Sequence, residues 1–80
     1  MDTWTQRALS LRWSAELELG MKGYSERLVR AGIDRAWGAA EYRVSALSSE
    51  LLTRGFYETF AAELRAVERW IQDEVRGLTA

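Results

Sequence analysis

The segment Ala8-Leu9-Ser10-Leu11-Arg12-Trp13-Ser14-Ala15-Glu16-Leu17-Glu18-Leu19-Gly20-Met21 decides how the whole chain is read. With a period of two, Leu9, Leu11, Trp13, Ala15, Leu17, Leu19 and Met21 alternate with polar or small residues, as in a half-buried strand. With a period of 3.6 the same residues separate onto two sides of a helix. Trp4, Ala8, Leu11, Ala15 and Leu19 share one side; Leu9, Trp13, Leu17 and Met21 lie nearly opposite. Residue type favours the helix, because the segment is built from Leu, Ala and Glu rather than β-branched residues, and no Asn-Gly or Asp-Gly hairpin turn follows it. The one candidate partner strand, Tyr42, Val44 and Ala46, belongs to a stronger helical pattern. Asp2 or Thr3 as N-cap, with Gln6 three residues after Thr3, resembles a capping box. The expectation is a helix over 3–19, with an α+β fold carrying a strand near 8–21 as the alternative.

Downstream, Gly20-Met21-Lys22-Gly23 and Thr53-Arg54-Gly55 divide the chain into three segments. In the middle one, Val29, Ile33, Ala36, Trp37, Ala40, Val44, Leu47 and Leu51 recur at intervals of three and four, which predicts a helix over 25–53 with Ser25 as N-cap and Glu26 in its first turn. Glu26/Arg30, Arg30/Asp34 and Glu50/Arg54 are spaced for ion pairs along its outer face. The last segment has a second stripe, Phe56, Phe60, Leu64, Val67, Ile71, Val75 and Leu78, with Gly77 as a possible C-cap. This stripe points more than a quarter-turn away from the middle one at about 100° per residue. A break near Gly55, with a helix over 56–76 folding back as an antiparallel hairpin, is therefore expected. The absence of proline and the abundance of Ala, Leu, Glu and Arg agree with an all-α fold of three helices in one domain over 1–80.

Composition then narrows function. With 48% hydrophobic and 29% charged residues in 80, a folded core is expected. Cysteine and histidine are both absent, which excludes a disulfide framework, a thiolate zinc site, a cysteine nucleophile, the commonest metal ligand and the commonest general base. The serines stand in no Gly-x-Ser-x-Gly elbow, and Glu16 and Glu18 diverge on a helix. No cofactor, no metal and no catalysis are expected. Eleven cations against twelve anions give a net charge of -1, far from the basic footprint of a nucleic-acid or anionic-lipid binder. No apolar run reaches membrane-spanning length and no signal pattern opens the chain, so a cytoplasmic address without membrane association is expected.

Two candidate sites remain. A first helix apolar on both sides has one side to spare, so Leu9, Trp13, Leu17 and Met21 are the expected interface with a protein partner or a second copy. An 80-residue chain without disulfide or metal also leans on oligomerisation. The second candidate is Lys22, Tyr24, Arg27 and Arg30, gathered where free N–H groups at a helix start favour an anion. The expected function is non-enzymatic: a small helical protein acting through protein–protein contact as a homo-oligomer. Acidic, motif-free chains of this size are frequent among phage and mobile-element accessory inhibitors of host machinery. The alternative is an oligomeric binder of a nucleotide or another phosphate, and the third reading is a small helical enzyme using Arg and Glu.

Overall fold

The structure, a computed structural model, describes residues 3–45 and 54–79, with side chains over 4–44 and 54–77. These residues form four α-helices and no strand: α1 Thr3–Met21, α2 Glu26–Ser45, α3 Arg54–Leu64 and α4 Val67–Thr79. The strand alternative near 8–21 is therefore overturned. The segment satisfies its backbone along the helix and closes with a helix-ending motif that a strand cannot use. Tyr24 N–H donates to the Leu19 carbonyl at 3.4 Å and Gly23 N–H to the Gly20 carbonyl at 3.0 Å, the paired bonds of a Schellman cap. The cap needs a left-handed residue after the last turn, and Gly23 supplies it with φ of 91°. Ser25 then opens α2, its carbonyl accepting from Val29 N–H at 2.9 Å.

Two expectations about the C-terminal half change. The last segment is two helices, not one over 56–76. Arg65 N–H reaches back three residues to Ala62 at 3.3 Å and Ala66 N–H to Glu63 at 3.1 Å, so the chain tightens into a turn between α3 and α4. No glycine or proline marks this place; packing makes the break, because α3 lies against both α1 and α2 whereas α4 lies mainly on α2. Helix α3 begins at Arg54, beside the Gly55 near which a break is expected, whereas Gly77, expected as a possible cap, lies inside α4. Residues 46–53, which include Leu47, Glu50, Leu51 and the expected hairpin turn, lie outside the described residues, as does the side chain of Leu78.

The core follows the stripes closely. Ile33, Val44, Phe60 and Ile71 are fully enclosed, with Ala8, Leu19, Val29, Ala36, Ala40, Phe56 and Val67 buried around them. Each large side chain taken out of water contributes about 1.5–3 kcal/mol. Trp37 of α2 meets Phe56 edge-on at 4.6 Å and Phe60 at 5.1 Å, and the Arg12 guanidinium of α1 lies 5.6 Å from its ring. Trp4 of α1 meets Tyr57 of α3 at 5.6 Å. Farther along, α2 meets α4 at Gly32, where a β-carbon would stand 2.8 Å from Val67 Cγ1 and 3.1 Å from Trp70 Cε3.

These contacts distinguish two glycines of α2. At Gly38 a β-carbon would meet nothing, so Gly38→Ala is expected to stabilise by about 1 kcal/mol through helix propensity. At Gly32 the new atom collides with the buried, β-branched Val67, which has no free rotamer to yield. Overpacking costs about 1–3 kcal/mol, so Gly32→Ala is expected to lose the propensity gain and destabilise by up to about 2 kcal/mol. Urea melts give both signs; equal stabilisation at the two positions would show that α4 does not rest on Gly32.

Candidate partner interface

The two sides of α1 have opposite fates. Ala8 and Leu19 are buried, and Trp4, Leu11 and Ala15 are half-buried against α2 and α3. On the other side Leu9 is 52% exposed, Trp13 63%, Leu17 48% and Met21 88%. The four sit one above another at intervals of four, so the ridge runs about 18 Å along the helix at 1.5 Å per residue. Lateral to it lie Gln6, Ser10, Ser14 and Gly20, all exposed, neutral and mostly small.

The charges of α1 stand beside the apolar ridge and not in it, so the outermost positions of the helix are apolar, unlike an ordinary surface helix. All four of them, Arg7, Arg12, Glu16 and Glu18, lie on the flanks or toward neighbouring elements. Arg12 bonds Asp34 of α2 and stands 3.6 Å from Glu16, Glu18 lies 3.9 Å from Lys22, and Arg7 covers the Trp4 ring at 4.5 Å. Asp34 thus pairs with Arg12 and not with Arg30 as the four-residue spacing suggested; of the other two predicted pairs, Glu26–Arg30 forms at 2.7 Å and Glu50–Arg54 involves Glu50, which lies outside the described residues. Beside the ridge, a groove of about 440 Å³ opens between the end of α1 and the start of α2, lined by Trp13, Leu17, Met21, Tyr24 and Val29 together with the charged Glu16, Glu26 and Arg30. Half-buried Tyr24 adds an aromatic side to the groove from the inter-helix turn, and nothing in the periodicity of α1 announces it.

Lys22, Tyr24, Arg27 and Arg30 are spread over different surfaces. Lys22 lines a groove between α1 and the α3–α4 arm, Tyr24 and Arg30 line the groove beside the ridge, and Arg27 and Arg30 lie over the outer face of α2. Two of the four are tied to α4. Lys22 Nζ lies 2.9 Å from Glu68 Oε1, Tyr24 hydroxyl donates to Glu68 Oε2 at 2.7 Å, and Gln72 Nε2 donates to the Tyr24 hydroxyl at 3.0 Å. The hydrogen bonds from Lys22 and Tyr24 hold the Glu68 carboxyl below the usual range, and the bond to Glu68 raises the Lys22 ammonium. These partners are more than forty residues apart in sequence, so spacing alone gives no sign of them. Among the described residues no group of three or more acidic side chains converges as a metal site, and no helix is long and apolar enough to cross a membrane.

The latch has a pH signature. A carboxyl whose pKa is depressed on folding contributes stability above its unfolded value, and that contribution disappears as pH falls through the folded value. Glu68→Gln is therefore expected to lower the melting temperature near neutral pH, with the gap from wild type closing as pH falls below about 4.5. Thermal melts of both proteins across the acid range measure it; a gap that persists unchanged in acid would show that Glu68 contributes by packing and not by charge.

No protein-family model, no curated protein and no solved structure matches this chain.

Proposed function

We propose that this protein acts without catalysis, by docking another protein surface against the outer side of α1. One observation carries the reading: Leu9, Trp13, Leu17 and Met21 form a single exposed apolar ridge along the outer side of α1, and the charged residues of the helix stand beside that ridge, not within it. Large aromatic and aliphatic side chains with neutral surroundings are the composition of an interface centre, where charged groups are depleted and tryptophan dominates binding energy. Such a contiguous patch is a liability on a protein that meets only water. The arginines and glutamates give further support. Arg12 with Asp34, Arg30 with Glu26, Arg43 with Glu63 and Arg54 with Glu58 pair with one another at the surface, and no His or Cys exists to do acid–base or nucleophilic work.

A photoreactive benzoylphenylalanine placed at Leu17, in the cells that make the protein, tests this. Irradiation is expected to give a covalent adduct of higher mass with a polypeptide, and the same residue placed at the exposed Arg69 of α4 is expected to give none. Absence of any polypeptide adduct at Leu17 overturns the proposal.

A further inference from the structure

We infer that α4 is a hinged arm: it opens as one cooperative unit from a body of α1, α2 and α3 that stays folded, and the bonds gathered at Glu68 latch it closed. The attachment of α4 is short. Its two buried side chains, Val67 and Ile71, lie within its first five residues, with Trp70 half-buried beside Gly32 of α2. From Gln72 to Gly77 every residue is exposed. The turn that carries the arm is exposed as well: Arg65 and Ala66 make three-residue backbone bonds, and both lie at the surface.

The body has ties of its own that do not pass through α4. Trp37 joins α2 to Phe56 and Phe60 of α3, and Trp4 of α1 meets Tyr57 of α3. The pairs Arg12–Asp34 and Arg43–Glu63 cross between the same three helices. Local opening selects units with few buried apolar side chains and an exposed backbone, and α4 has both. A helix of 13 residues is marginal alone in water, so α4 loses its hydrogen bonds once it leaves α2.

The latch crosses from arm to body at the first inter-helix turn. Glu68 accepts from Lys22 and from Tyr24, and Gln72, one turn further along α4, donates to the same tyrosine hydroxyl. Tyr24 also lines the groove beside the apolar ridge of α1. Release of α4 therefore withdraws Glu68 and Gln72 from a residue that forms one wall of that groove.

Residue-resolved native-state hydrogen exchange of the purified chain is the experiment. Amides from Trp70 to Glu74 are expected to exchange through one shared opening, at least about tenfold more populated than the opening that exposes the amides of Ile33 to Ala40. Low urea is expected to leave exchange in the arm nearly unchanged and to speed that of α2 steeply, because the arm uncovers little surface. Tyr24→Phe is expected to speed exchange in the arm about fivefold through the lost hydrogen bond to a carboxylate. Phe56→Leu, in the first turn of α3 and so at the end remote from α4, is expected to speed exchange in α2 and leave the arm as it was, since the body is folded whether the arm is closed or open. Should Phe56→Leu lose its fold, the urea dependence of the wild type gives the same reading. Arm amides that exchange in step with α2, or that follow Phe56→Leu, show one cooperative unit and overturn the inference. A smooth gradient of rates toward the C-terminus overturns it too, because fraying needs no hinge. An arm indifferent to Tyr24→Phe overturns the latch.

Discussion

Every helix of this protein depends on α2, and α2 can serve them all because its packed faces are built from small residues. Gly32, Ala36 and Ala40 lie among Ile33, Val29 and Val44, all buried. Short side chains bring the backbones of neighbouring helices close, and Ile33 and Val44 of α2 fill the core together with Phe56 and Phe60 from α3, Val67 and Ile71 from α4 and Leu19 from α1. Trp37 adds a junction at the edge of this core. It stands half-buried between the two phenylalanines and the Arg12 guanidinium, joining α1, α2 and α3 at one point. The close approach at Gly32 fixes where α4 can lie, and so the turn at Arg65 and Ala66 is needed to carry the chain from one neighbour of α2 to the next.

Charge reinforces this arrangement at its ends. Arg12 and Asp34 tie α1 to α2, Arg43 and Glu63 tie α2 to α3, and Glu68 gathers Lys22 and Tyr24 at the first inter-helix turn, so each tie joins elements distant in sequence. Exposed pairs of this kind contribute little stability each, and their larger effect is on register. Placing them on the flanks of α1 has a second consequence. With Arg12, Glu16 and Glu18 turned toward partners within the chain, the outer side of the helix is left to Leu9, Trp13, Leu17 and Met21. The same residues that register α1 on its own chain thereby leave its outermost positions apolar and exposed.

Much of this was legible in one dimension. The two-sided character of α1 follows from the spacing of nine apolar residues, and the stripe from Val29 to Val44 names the buried face of α2. What misled was the assumption that breaks in a helix are written as glycine. Gly77 lies within a helix, while the turn at Arg65 and Ala66 falls among good helix formers. The stripe of the last segment likewise overreached at Val75, which is 40% exposed.

By itself the sequence determined the helical class, the Gly23 turn, and which side chains of α1 oppose one another, because each depends on local backbone preference and on the fixed rotation of a helix. It also removed histidine and cysteine chemistry outright. Only the tertiary structure decided which of the two apolar sides of α1 is buried, since the periodicity treats them as equals and packing against Tyr57 and the α2 stripe distinguishes them. It decided too that Lys22 and Tyr24 both bond Glu68, and that Arg12 takes Asp34. Those partners lie between twenty-two and forty-six residues away, a separation over which side-chain spacing along the chain carries no information about contact.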